Sequence, residues 1–230
     1  MQLFYTPDIA VQSELPEEEA RHALRVLRLA EGDEIELTDG KGFFYKAIIL
    51  GTNPKHCAVS ITERWEQPPL WSFNLHIAVA PTKNLDRMEW FCEKATEIGI
   101  NAITFLNCRY SERREIKIPR LEKILVSAMK QSQKATLPKL TGMTDFKTFV
   151  NQPFEGQKFI AHCEEGEKPL LKQGYRPGEN VLILIGPEGD FSPEEIKLAI
   201  AQGFSPISLG LSRLRTETAA LVATHSIHLL

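Results

Sequence analysis

The chain is poor in the residues that build staples and metal cages. Its four cysteines, Cys57, Cys92, Cys108 and Cys163, are scattered through 230 residues with no Cys-x-x-Cys and no Cys/His cluster. That spacing signals neither a disulfide framework nor a zinc site, and leaves free thiols in a reducing compartment as the expectation. The six histidines do not cluster at metal-ligand spacing, so no metal is expected. No stretch approaches the roughly 18 to 20 consecutive apolar residues of a membrane span. The start, Met1-Gln2-Leu3-Phe4-Tyr5-Thr6-Pro7-Asp8, lacks the charged and then apolar plan of a signal peptide. The expectation is therefore a cytoplasmic protein without a membrane partner. Excess positive charge is missing as well: 27 Lys and Arg against 30 Asp and Glu give a net charge of −3, which argues against recognition of nucleic acid by whole-domain basicity. Neither Gly-x-x-x-x-Gly-Lys-Ser/Thr, Gly-x-Gly-x-x-Gly nor Gly-x-Ser-x-Gly occurs, which removes the P-loop, dinucleotide-fingerprint and nucleophile-elbow readings.

What is present is ordinary in bulk and uneven in distribution. Hydrophobic residues at 43% and charged residues at 25% describe a soluble globular chain long enough for one large domain or two modest ones. Between Arg109 and Lys134 eight basic residues face three acidic ones, and Arg21, His22, Arg25 and Arg28 form a second cluster. A local basic face is compatible with a mildly acidic whole. The first 69 residues read as a small β-rich unit with one helix, which Pro16 opens and Ala20, Ala23, Leu24 and Leu27 continue at helical spacing. Runs at 34–38, 43–50 and 57–62 are rich in β-formers, with Asp39-Gly40 as a hairpin turn, and Gln67-Pro68-Pro69 marks a boundary. From residue 70 onward apolar strand-like runs at 75–80, 102–106, 158–162, 181–185 and 206–209 alternate with helical patterns, the rhythm of a mostly parallel α/β sheet.

Two segments near the C-terminus repeat one plan. Leu182-Ile183-Leu184-Ile185 stops at Gly186-Pro187-Glu188-Gly189, and Ser192-Pro193-Glu194-Glu195 then opens a helix with a serine cap and a capping box. Leu209-Gly210 leads into Arg213-Leu214-Arg215-Thr216-Glu217-Thr218 and an alanine-rich helix. The glycine loop reads equally as a tight strand-to-helix connection or as a backbone approach to a ligand. The arginines are harder to explain as a solvated helix start, since positive charge there opposes the helix dipole. They point to an anion. Both loops emerge at one edge of a parallel sheet, where open α/β sheets bind ligands. His22, His76 and His162 fall in structured segments and read as structural residues, His22 having the better functional case through its arginine neighbours.

Taken together, Gly186-Pro187-Glu188-Gly189, Phe191-Ser192, Leu209-Gly210 and Leu214-Arg215-Thr216-Glu217-Thr218-Ala219 resemble the ribosomal small-subunit RNA methyltransferase E family of the SPOUT methyltransferases. The likeness extends to His22–Arg28, to Lys83, Arg87 and Glu89, to Lys94–Gly99, to Arg109–Arg113 and to Ala128–Gln133 with Leu137-Pro138. Two departures stand out: Asp190 where the family usually has glycine, and Leu211-Ser212-Arg213 where it often has Pro-Arg-Ile. The resemblance implies a PUA-like RNA-binding β-barrel at 1–69 and a SPOUT domain at 70–230 with a trefoil knot, which periodicity alone would not suggest because knots are rare. It further implies a homodimer that binds S-adenosylmethionine and methylates N3 of one uridine in 16S rRNA of the small ribosomal subunit. On that reading Ile185, Gly186, Pro187, Glu188, Gly189, Leu209, Gly210, Leu214, Thr216 and Ala219 meet the cofactor. Arg215 and Glu217 are the catalytic candidates. Arg21, His22, Arg25, Arg28, Lys83, Arg109, Arg113 and Arg114 meet RNA. The alternatives left open are a non-catalytic RNA-binding or ribosome-assembly protein, and a SPOUT enzyme that methylates a ribose 2′-oxygen on another RNA.

Overall fold

A computed structural model describes residues 2–230. They fall into two compact units: the chain through Leu70 together with Val126–Leu137, and Trp71–Leu125 together with Pro138–Leu230.

The first unit is a curled five-stranded sheet with a short helix. Its elements are β1 (Leu3–Tyr5), β2 (Glu14–Leu15), α1 (Glu17–Arg21), a π-helical turn (His22–Val26), β3 (Glu34–Thr38), β4 (Phe43–Ile49) and β5 (Cys57–Glu66). The strand order is β1-β3-β4-β5-β2. Alternation along the strands sends Ile35 and Leu37, Tyr45, Ala47 and Ile49, and Cys57 and Val59 into one core with Phe4 and Ile9. The expected turn at Asp39-Gly40 is a longer loop, because the Asp39 carboxylate accepts from the backbone N–H of both Lys41 and Phe43 at 2.7 and 3.2 Å and delays the return strand. The expected helix through Leu27 also differs. The wider π-helical turn shifts the helical register, and Leu27 ends 37% exposed rather than in the core. Residues 126–137 join this unit through Gln67, whose side chain accepts from Ala135 N–H at 2.7 Å and donates to Gln133 O at 3.1 Å.

The second unit alternates strands and helices: β6 (Leu75–Val79), α2 (Leu85–Ile98), β7 (Ala102–Asn107), α3 (Ile118–Gln131), β8 (Lys139–Asp145), α4 (Phe146–Val150), β9 (Gln157–Ala161), α5 (Leu171–Gly174), β10 (Val181–Ile185), α6 (Pro193–Ala201), β11 (Ser205–Ile207) and α7 (Thr216–Leu229). The last turns of α3, from Val126, count with the first unit. All six strands run parallel in the order β11-β9-β10-β6-β7-β8. Every residue of β10 is buried, as a central parallel strand covered on both faces requires. Edge strand β8 was not expected: its residues alternate neither in polarity nor in burial, so it carries no period to detect. The Asn84 side chain caps α2 by accepting from Asp86 N–H at 3.0 Å, and Ser192 and Glu195 cap α6 reciprocally, as the sequence predicts. No helix among the described residues is long and apolar enough to cross a membrane.

Candidate functional site

Parallel register decides where the site lies. It sets Ala161 at the end of β9 beside Ile185 of β10 and Ile207 of β11, so the loops that follow all three strands leave the sheet at one edge. Together these loops and the start of α7 enclose a cavity of about 840 Å³, within the roughly 300 to 1,000 Å³ usual for a small-molecule site. Ala161, Ile185, Ile207, Leu209, Leu214 and Ala219 contribute apolar lining.

Three local devices hold the loops in place. A side chain at Gly186 would put its Cβ 3.2 Å from the Phe191 ring and backbone nitrogen, so any larger residue would push against Phe191 by a few tenths of an ångström and loosen the β10 loop. The Thr216 hydroxyl, buried at the start of α7, donates to Gly186 O at 3.0 Å and ties helix to loop. Asp190 sits at φ 64, a left-handed conformation unusual for a side-chain-bearing residue, and its carboxylate accepts from Cys163 N–H at 2.7 Å and Phe191 N–H at 2.8 Å. A short polar side chain that bonds locally is among the few that tolerate this backbone, and here it joins the β10 loop to the β9 loop.

The cavity wall also holds an unsatisfied group. Both ring nitrogens of His162 are buried, and neither has a hydrogen-bond partner among the described residues. Burial, with Lys168 adding to it and Asp190 and Glu164 opposing, pushes the imidazole below its ordinary pKa. The neutral ring therefore keeps one N–H and one lone pair without a partner. Buried polar groups are normally paired, so an imidazole unpaired at both nitrogens is an exception in this cavity wall.

The structure brings together on this cavity all ten positions expected to meet a cofactor, Ile185 through Gly189, Leu209, Gly210, Leu214, Thr216 and Ala219, and Arg215 with them. Glu217 is not among its lining residues. It is buried in the first turn of α7, with Oε1 3.7 Å from Arg87 Nε of α2. Sequence reasoning missed His162, Cys163, Lys168 and Asp190 as lining residues; the strand expected at 158–162, ending at the same edge, is the signal that leads to them. Among the RNA candidates of the first unit, Arg21, Arg25 and Arg28 are exposed, Arg21 pairing with Glu17, and His22 is half-buried edge-on to Phe4 at 6.2 Å. In the second unit Arg109 and Arg114 are exposed. Arg113 donates to Lys83 O at 2.8 Å, Lys83 Nζ pairs with Glu112 at 3.1 Å, and Lys83 N–H donates to Glu188 at 2.9 Å, so these side chains hold one another as well as facing solvent. No cluster of three or more metal-ligating side chains occurs among the described residues.

Comparison with known proteins adds the following. Residues 69–228 match the family model of an RNA methyltransferase domain, and residues 15–62 that of an RNA methyltransferase PUA domain. The chain is 30% identical to the ribosomal RNA small subunit methyltransferase E of Rickettsia conorii over 89% of its own length and 84% of that protein. It superposes on the crystal structure of a probable rRNA-methyltransferase from Porphyromonas gingivalis with a TM-score of 0.94 at 46% identity, covering 100% and 98% of the two chains. The ribosomal RNA small subunit methyltransferase E of Neisseria gonorrhoeae, solved bound to S-adenosyl methionine, gives 0.86 at 27% identity over 100% and 97%.

Proposed function

The chain belongs to the ribosomal RNA small subunit methyltransferase E family, and from that membership we propose that it methylates N3 of a uridine in 16S rRNA with S-adenosylmethionine as donor. The observation that carries the proposal is the cavity at the ends of β9, β10 and β11, closed by Thr216 and bordered by Arg215, with the unpaired His162 nitrogens in its wall. Its volume and mixed lining fit a nucleoside-type donor. The backbones of residues 185–189 and 209–214 would hold the adenosine portion, where glycine permits close approach. When bound, the donor supplies a methyl carbon already activated by its sulfonium.

The chain's own residues must then orient the acceptor and dispose of a proton, since uridine N3 carries one that leaves as the nitrogen becomes nucleophilic. Glu217 is the proton acceptor in this reading. Arg215 faces the negative charge that develops on the uracil. Residues 1–69 serve as the RNA-binding domain and 70–230 as the catalytic domain. Arg21, His22, Arg25, Arg28, Lys83, Arg109, Arg113 and Arg114 hold phosphates, so rRNA affinity falls steeply with added salt. A homodimer, a trefoil knot through the loops that line the cavity and a cytoplasmic location complete the proposal.

The test is incubation of the protein with methyl-labelled S-adenosylmethionine and small ribosomal subunits that lack the modification, followed by mass spectrometry of the nucleosides. Label in 3-methyluridine is the expected result. Label in a ribose-methylated nucleoside overturns the acceptor atom, and donor binding without transfer to any small-subunit substrate overturns the activity.

A further inference from the structure

Arg215 also lines a second, shallower cleft of about 350 Å³, whose other walls are Asp86, Arg87 and Trp90 of α2 and Glu217 and Thr218 of α7. Its chemistry is distinct. The Glu217 side chain is only 9% exposed, its Oε1 meets Arg87 Nε at 3.7 Å, beyond good hydrogen-bonding range, and its Oε2 is buried with no partner among the described residues. A carboxylate withdrawn from water without donors is costly, and Glu217 is one of the residues that line this cleft. Three residues along from Arg87, on the same side of α2, Trp90 is 42% exposed.

An aromatic face, a carboxylate oxygen without a donor and two guanidinium groups make a selective set. The aromatic face stacks a planar heterocycle. The carboxylate accepts from a ring N–H, and the guanidinium groups donate to carbonyl oxygens beside it or to phosphate. Uracil presents an N3–H between two carbonyls. Cytosine at N3 and adenine at N1 present lone pairs that the carboxylate repels, and guanine flanks its N1–H with only one carbonyl. We propose that this cleft receives the acceptor uracil, with Trp90 as the residue that stacks on it and Arg87 as the residue that positions Glu217. This inference rests on the uridine-N3 reading and adds to it the place of the base and two residues outside the donor cavity.

Trp90→Ala and Trp90→Phe are compared with the parent chain in methyl transfer to small ribosomal subunits at saturating donor, with donor affinity measured separately by calorimetry using S-adenosylhomocysteine. Loss of one base–aromatic stack predicts a KM for the subunit raised about tenfold in Trp90→Ala, an unchanged S-adenosylhomocysteine Kd, and recovery of most of the loss in Trp90→Phe. An unchanged KM in Trp90→Ala overturns the inference. So does a shift from dimer to monomer on sedimentation, which assigns the cleft to a second copy of the chain. Absence of 3-methyluridine with the parent chain is the separate failure of the underlying reading.

Discussion

The donor cavity and the α2–α7 cleft meet at Arg215 and are made of different material. The cavity is shaped by backbone: three loops folded against one another, fixed by Gly186, by the Asp190 carboxylate and by the Thr216 hydroxyl. The cleft is shaped by side chains, Arg87 and Trp90 from one helix and Glu217 from another. A backbone site loses function by deformation, because each loop buttresses the next. A side-chain site loses it by deletion of single groups, with the frame intact. Donor binding and acceptor chemistry should therefore separate under mutation.

Glu217→Gln is the substitution expected to pull them furthest apart. It keeps the volume and removes the proton acceptor, so single-turnover methylation should fall by roughly 10²- to 10⁴-fold, while S-adenosylhomocysteine binding, measured by calorimetry, stays at the parent value. A single-turnover rate within about tenfold of the parent would take Glu217 out of proton transfer.

The same difference in material explains what could be read in advance. The cavity was legible because its parts are local: Gly186–Gly189 and Leu209–Ala219 are short contiguous motifs, each at the end of an apolar strand, and parallel order alone brings them together. The cleft was not, since Trp90 reads as one more large residue on a helix, and only the packing of α2 on α7 sets it beside Glu217. Asp190 shows the limit from the other side. A sequence reports that glycine is missing there but not that Cys163 N–H stands 2.7 Å away to hold an aspartate in a left-handed conformation. β8 and the π-helical turn after α1 escaped for a simpler reason, having no regular polar–apolar period.

A perturbation of the shared sheet should, by contrast, move both sites together. His76 of β6 bonds Thr104 at 2.8 Å, and burial first, then Lys139, pushes its imidazole down to about 4. Its folded pKa lies below the unfolded value, so the unfolded chain takes up the proton first. Stability is full above about pH 6.5 and declines as pH falls toward 4, by on the order of 3 kcal/mol from this residue. Chemical denaturation at pH 7 and pH 4.5 should show that loss, and His76→Gln should flatten it. An equal pH dependence in His76→Gln would place the effect elsewhere.

Thr216→Val returns to the backbone site alone. It deletes the hydroxyl that binds the buried Gly186 carbonyl, a loss of about 1 to 3 kcal/mol, and the loop it released would weaken S-adenosylhomocysteine binding about tenfold while leaving subunit KM in place. Thr216→Ser should restore the affinity. A fall in subunit KM performance equal to the fall in donor affinity would show the two sites coupled through α7.

The gentlest probe needs no mutation. Cys163 is exposed on the cavity wall, whereas Cys57, Cys92 and Cys108 are buried, with burial raising all three thiols and pushing Cys92 up to about 12. Thiolate is the reactive form, so a maleimide should label one cysteine quickly in the native protein and all four only after unfolding. S-adenosylhomocysteine should slow that labelling by covering the β9 loop. A uridine oligonucleotide seated in the cleft should not, because the cleft's lining residues do not include Cys163. Equal protection by both ligands would mean that the cavity and the cleft are one continuous site, and that the separation drawn at Arg215 does not exist in the occupied protein.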